Sequence, residues 1–500
     1  MRRTLARLVV TCSLLVVLGP TWVWAGLQAD VQRAIDTADL KGGRVAVSIR
    51  DAQTDAALVA IAADDLMVPA SNMKLLTTGA ALHALGPNFE FRTQLLRDGN
   101  RLIVLGDGDP GFGDPELLNL MQVGDKTGID EEAFLDLWVQ PISSLGLARI
   151  QEIVIDDRIF DREFIHPDWP ADQLNRRYCA QTSGLTFHLN VLHFFPQLRN
   201  GGSPNVAIVR PGASWLPLTN RATCRTGPRD GNDMWIARQP GGNQLTFYGN
   251  CKFSYEVPVP VTIHNMPDFF GRLLANRLTR GGIAVDSTRV AALEDPAAKG
   301  QPVGPVIVTP ISTAVTRCNR DSQNLYAESL LKRMGAARTG QAGSWVNGAA
   351  MVRLVLHERL HHATLASQIV VADGSGLSRK NRVAASTMTA WLNSFRRDPE
   401  LGPIFHDSLG EPGVQGTLDN RFNGVDLGQA TVRAKSGYIN EVSCLSGYVT
   451  MSDGRQRSFS ILVNDLSQPG TVSRAKKMQE RIVQAIATDL AAVAVQLGSD

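Results

Sequence analysis

The 500-residue chain sets 50 Lys and Arg against 48 Asp and Glu, a formal net charge of +2, with 44% hydrophobic and 20% charged residues. So balanced a composition is that of a folded globule and excludes a general electrostatic affinity for nucleic acid. The length is too great for one core and implies two or three domains.

Residues 1–25 read as a secretory signal peptide. Arg2, Arg3 and Arg7 give a basic start, Leu8 to Leu18 an uncharged apolar run, and Val23 and Ala25 the small-residue positions before a cut ahead of Gly26. The run is short for a bilayer span and Gly19-Pro20 interrupts it, so no transmembrane anchor is expected after cleavage. Cys12 lies within the leader. Cys179, Cys224, Cys251, Cys318 and Cys444 remain. None has metal-ligand spacing and there is no HExxH, so no metal and no cofactor are expected. Cys224 and Cys251, each beside a turn-like segment, are the preferred disulfide.

Residues 43–50 alternate as a strand, and 58–63 read as its partner. Pro69 breaks that pattern. From Ser71 to Leu85 apolar residues recur at helical spacing until Gly86-Pro87, which puts Ser71 at a helix start, where backbone N–H groups are unpaired. Lys74 falls one turn on, on the same face. From about 88 to 290 short strands alternate with Gly-, Pro-, Asn- and Asp-rich turns, closed by the helix DFFGRLLANRLTRGG. Helices return at 322–336 and 345–360, with His361-His362 read as an exposed helical pair. The segments ATVRAKSGYINEVSCLSGYVTM and RSFSILVND read as adjacent antiparallel strands, and 474–497 as a last helix.

Three short motifs stand in order: Ser71-Asn72-Met73-Lys74, Ser322-Gln323-Asn324 and Lys435-Ser436-Gly437. Each alone recurs by chance. SxxK also occurs at Ser329, inside a helix, and at Ser473, read as an N-cap. Lys126-Thr127-Gly128 precedes IDEEAF and reads as a helix start, and Ser203-Pro204-Asn205 lies in a Gly-rich turn. Only the set 71, 322 and 435 gives two helix starts and a strand edge.

That set suits acyl transfer. A serine hydroxyl attacks a carbonyl well when a base takes its proton. Lys74 serves if desolvation or a second cation such as Lys435 favours its neutral form. Ser322 can relay a proton to the leaving amine, and Asn324 can hold the substrate backbone. Lys435 and Ser436 suit a terminal carboxylate, and the N–H groups of Ser71 and Tyr438 can form an oxyanion hole beside Gly437.

The ordered set resembles the active-site motifs of penicillin-binding proteins and serine β-lactamases. The long insert between the first two motifs resembles the class C low-molecular-mass penicillin-binding proteins, the D-alanyl-D-alanine carboxypeptidase/endopeptidase family. Further words agree: Gly106-Asp107-Gly108-Asp109-Pro110, Asn324-Leu325-Tyr326-Ala327-Glu328, Asp373-Gly374-Ser375-Gly376-Leu377-Ser378-Arg379, Gly416-Thr417-Leu418 and Leu445-Ser446-Gly447-Tyr448-Val449. The third motif departs in carrying Ser436 where threonine is usual, which keeps the hydroxyl.

The resemblance implies an α/β (α+β type) fold: a transpeptidase-like unit from 26–87 and 292–500, its antiparallel sheet flanked by helices, with a β-rich insert over 88–291. The insert forms one or two extra domains, with a small one nested at about 185–260. It further implies an exported, periplasmic, penicillin-sensitive serine peptidase acting on peptidoglycan stem peptides, with β-lactams as covalent inhibitors. In the family an acidic residue in a segment like VIDDRIF faces the third stem residue, which makes Asp156 a candidate substrate contact; the alternative is that Asp156-Asp157 caps a turn. Two other functions share the motifs: a β-lactamase, and a non-catalytic penicillin-binding sensor or scaffold.

Overall fold

In the computed structural model, which describes residues 21–361, 363–414 and 416–497, the central sheet has five strands. Their order is Thr431–Ile439, Val442–Thr450, Gln456–Asn464, Arg44–Asp51 and Ala57–Ile61, antiparallel throughout. The two-residue period of a strand decides which face each side chain meets. Val47, Ile49, Leu445, Val449, Phe459, Ile461 and Val463 point to one face, covered by the helices Thr21–Asp36 and Thr471–Leu497. Ala46, Cys444, Tyr448 and Leu462 point to the other. There the helices Met73–Leu85, Asn324–Thr339, Trp345–Leu360 and Ala385–Arg396 form the largest core.

The segment between these halves builds a second sheet, ordered Ala284–Val290, Arg149–Asp156, Arg101–Leu105, Glu90–Asp98, with Gln301–Pro302 and Ile307–Pro310 both paired to Glu90–Asp98. The sheet therefore draws its last strands from beyond residue 291. Helices Glu131–Ser144 and Met266–Arg280 carry its apolar face. Two three-stranded sheets between residues 191 and 262 contribute Leu192, Phe194, Ile236, Leu245 and Phe247 to the same core.

Several local expectations are corrected. Lys126–Thr127 is a short strand paired with Gln122–Val123, and the helix starts only at Glu131. The final helix starts at Thr471, so Ser473 lies inside its first turn and is not its N-cap. His361 ends its helix in the left-handed region, at φ 50°, and His362 lies outside the described residues. Cys224 and Cys251 are free thiols; their segments are neighbours through the Thr223–Asn250 bridge, and the Cys251 thiol donates to the Phe253 carbonyl at 3.3 Å. The first twenty residues of the leader lie outside the described residues, and residues 21–25 form the start of the helix Thr21–Asp36.

Candidate active site

Ser71 sits in the 3-10 turn Ala70–Asn72, which runs directly into the helix Met73–Leu85. Ala70 is held at φ 47°, a left-handed state that costs a non-glycine residue about 1–2 kcal/mol. What holds it is close packing. A Cβ on Gly376 would collide with the Ala70 carbonyl, so the loop 373–378 lies tight under the serine. Thr77 ties the helix to the same loop, donating to the Gly374 carbonyl at 2.7 Å.

Lys74 is fully buried, and its Nζ meets three oxygens. Ser71 Oγ lies at 3.1 Å, Asn324 Oδ1 at 2.7 Å and the Ser375 carbonyl at 2.8 Å. Burial pushes its pKa down from the usual lysine value, against the pull of Glu328 and Asp373. Lys435, also fully buried, donates to Ser322 Oγ at 3.0 Å and to the Ser436 carbonyl at 2.7 Å. Burial first, and Lys74 second, hold its pKa well below the usual value. Ser322 is itself in the left-handed region, at φ 58°. The turn Gly416–Leu418 backs its loop, with the Thr417 N–H donating to the Arg320 carbonyl at 3.1 Å.

Asn324 opens the helix Asn324–Thr339. Its Oδ1 accepts from Lys74, and its Nδ2 donates to the Tyr178 carbonyl at 2.8 Å. One turn on, Glu328 is buried. Its Oε2 accepts from Gly374 N at 2.9 Å and Trp345 Nε1 at 2.8 Å, and its Oε1 from Ser375 N at 2.8 Å. Burial and the neighbouring Asp373 raise its pKa to about 7. Asp373 in turn accepts from the N–H groups of Gly376 and Ser378, from Asn381 and from Trp169. These two carboxylates fix the Ser375 carbonyl against Lys74. Sequence reasoning assigned them no role, although both lie in words quoted for the resemblance.

Lys435, Ser436, Gly437 and Tyr438 lie on Thr431–Ile439, the edge strand of the central sheet. Gly410 exchanges both backbone bonds with Ala434 on the open side of that strand. By the two-residue period, the N–H groups of Ser436 and Tyr438 also point to the open side. Gly437 permits the approach to the serine turn: a Cβ there would lie 2.8 Å from Asn72 Oδ1 and 2.9 Å from the Pro69 carbonyl. Ser446 on the next strand accepts from Asn72 Nδ2 at 2.6 Å and completes the lock.

The competing motifs stand elsewhere. Ser329 and Lys332 are buried in a helix, and Lys332 pairs with Asp161 at 2.7 Å across to the insert. Asp156 does not join the cluster. Arg158 occupies both its oxygens, at 2.8 and 2.7 Å, and the Arg158 N–H closes a turn on it at 3.3 Å. It lines a separate cavity with Asp107 and Arg333. The closed turn is the arrangement that the turn-capping alternative describes.

The model of the D-Ala-D-Ala carboxypeptidase 3 (S13) family matches residues 27–487. The chain belongs to this peptidase family. Among the relatives of this S13 member, a D-alanyl-D-alanine carboxypeptidase of Actinomadura sp. is 28% identical over 92% of this chain and 84% of its own length. The carboxypeptidase DacB of Mycolicibacterium smegmatis is 26% identical over 90% of this chain and 82% of its own. The crystal structure of penicillin binding protein 4 (dacB) from Haemophilus influenzae superposes with a TM-score of 0.74 at 20% identity, covering 92% of this chain and 99% of the other. That likeness carries the fold: a mixed sheet-and-helix architecture with added domains.

Proposed function

We propose that this S13 peptidase is an exported, periplasmic serine D-Ala-D-Ala carboxypeptidase that cuts peptidoglycan stem peptides through an acyl-enzyme on Ser71. The observation that carries the reading is the surroundings of Lys74 Nζ. A neutral amine has two hydrogens and one lone pair. Asn324 Oδ1 and the Ser375 carbonyl are both acceptors and take the two hydrogens. The lone pair is then left for the Ser71 hydroxyl at 3.1 Å, the geometry of a general base. Burial favours the neutral amine.

In the proposed cycle Ser71 Oγ attacks the penultimate D-Ala carbonyl while Lys74 takes its proton. The N–H groups of Ser71 and Tyr438 receive the oxyanion. Lys74 hands the Ser71 proton to Ser322, which, held by Lys435, gives its own to the departing D-Ala amine. Lys435 and Ser436 receive its carboxylate. Water then attacks the ester carbonyl, the bond to Ser71 Oγ breaks, and the water's proton passes through neutral Lys74 to Ser71 Oγ. Asn324 orients Lys74 and ties it to the insert through Tyr178. The relatives named D-alanyl-D-alanine carboxypeptidase support the substrate, and the Haemophilus influenzae protein complexed with a β-lactam supports β-lactams as covalent inhibitors.

The test measures D-Ala released from a pentapeptide ending in D-Ala-D-Ala beside turnover of a chromogenic cephalosporin. Release of D-Ala with slow cephalosporin turnover is expected. Fast cephalosporin turnover without D-Ala release would establish a β-lactamase instead, and failure of both a non-catalytic penicillin-binding protein.

A further inference from the structure

A cleft of about 360 Å³ opens between the segment Asn175–Tyr178 and the small sheets of the insert. One wall carries Trp235, which is 46% exposed and stacks on its cross-strand partner Tyr248 with ring centroids 4.6 Å apart and planes at 17°. Pro258 and Pro260 extend that wall. The other wall carries Arg176, Arg177 and Tyr178, all exposed. Among the described residues neither guanidinium has a carboxylate partner. A flat apolar face opposite two unpaired cations suits a ligand with an apolar ring face and an anionic group.

Four consecutive residues, Asn175 to Tyr178, join the cleft to the neighbourhood of Lys74. Asn175 Nδ2 donates to the Ile236 carbonyl at 2.9 Å, and the Asn175 carbonyl accepts from Thr262 N at 3.2 Å. Tyr178, at the other end, gives its carbonyl to Asn324, the partner of Lys74. The segment thus runs from the cleft to Asn324, which contacts Lys74. If Ser71 cuts at the end of a stem peptide, the stem leads away from it by about 3.5 Å per residue and ends on a sugar one stem length off.

We propose that this cleft binds the glycan end of the substrate, an acetylated amino-sugar ring lying on Trp235 and a carboxylate of the adjoining stem on Arg176 and Arg177. The proposal deepens the reading of Ser71 as a stem-peptide hydrolase and rests on it for the identity of the ligand. The cleft acts on affinity and leaves the chemical step alone.

The test compares kcat/KM for a free pentapeptide and for the same pentapeptide carrying its disaccharide. Trp235→Ala is expected to lower kcat/KM on the disaccharide substrate about tenfold through KM, and to leave the free pentapeptide within about twofold. Trp235→Phe keeps a flat ring and is expected to retain most of the preference. Arg176→Ala/Arg177→Ala is expected to weaken the disaccharide substrate in the same direction. A second readout needs no catalysis: calorimetric binding of a disaccharide tripeptide to Ser71→Ala protein, lost on adding Trp235→Ala. Equal effects of Trp235→Ala on both substrates, or no effect on either, overturn the proposal. Tripeptide binding as tight without the sugar would mean a peptide site only, and also overturns it. Absence of D-Ala release from either substrate, with disaccharide binding intact, would instead fault the reading of Ser71.

Discussion

Lys74 Nζ lies 3.1 Å from Ser71 Oγ, and its other two contacts are both acceptors. An amine so placed is a base only when neutral. Burial lowers its pKa from 10.5, so the neutral fraction grows at pH values below that of a free lysine. The kcat/KM of D-Ala release is expected to rise with pH along an acid limb centred below 10.5. Lys74→Arg, which keeps the charge and cannot lose it, is expected to cost on the order of 10³-fold. A limb centred at 10.5 or above would contradict the assignment.

Gly437 is the point at which the edge strand touches the serine turn. Its replacement by alanine puts a Cβ 2.8 Å from Asn72 Oδ1 and 2.9 Å from the Pro69 backbone carbonyl. The carbonyl cannot swing aside as a flexible side chain would. Gly437→Ala is expected to lose about 1–3 kcal/mol of stability and at least tenfold in kcat/KM, measured by urea unfolding and D-Ala release. Gly454→Ala, in the open turn between the next two strands, meets nothing within 4 Å but sits at φ 87° and is expected to leave kcat/KM unchanged.

Two Lys-[Ser/Thr]-Gly triplets compete in this sequence. Lys435 is buried and bonded to Ser322, whereas Lys126 lies on a two-residue hairpin strand of the insert. Lys435→Ala is expected to cost at least about 10²-fold in kcat/KM, roughly 3 kcal/mol, because Ser322 loses its donor and the proposed carboxylate site its cation. Lys126→Ala is expected to stay within about twofold of the parent. Equal losses in the two would remove the basis for choosing 435.

Acid is expected to loosen the insert. Burial depresses His188 to about 4 and His193 to about 3, and their rings lie 4.9 Å apart. His188 Nδ1 donates to the Val191 carbonyl at 2.9 Å, as the neutral ring. With both folded pKa values below the unfolded 6.5, the unfolded chain binds more protons as pH falls. The stability present above about 6.5 is therefore lost between 6.5 and about 3. Urea midpoints measured across that range should fall, and fall less steeply in His193→Gln. Parallel slopes in the two proteins would contradict this account.

The proposed catalytic set was legible in the sequence because its spacing has a local physical meaning. Ser71 and Lys74 share a helix face one turn apart, Pro69 marks the entry, and alternation marks the strand of Lys435 and Tyr438. The sequence could not carry contacts made between distant segments. Glu328 and Asp373 look like ordinary helix and loop acids until the fold brings the N–H groups of Gly374 and Ser375, 46 and 47 residues on, to hydrogen-bond distance of Glu328. Asp156 reads as free until Arg158, only two residues on, turns back on it. Gly376 was a word in a resemblance, and only the packed Ala70 carbonyl gives a reason for glycine there. Residues 301–310 return to pair with Glu90–Asp98, a pairing that no local pattern marks.

The central claim is that Ser71 forms the acyl-enzyme. Intact-mass analysis after incubation with benzylpenicillin, followed by peptide mapping, tests it most directly. The account predicts one adduct per chain on the peptide containing Ser71, and no adduct on folded Ser71→Ala protein. An adduct on Ser322, Ser329 or Ser473, or undiminished labelling of Ser71→Ala, would contradict it.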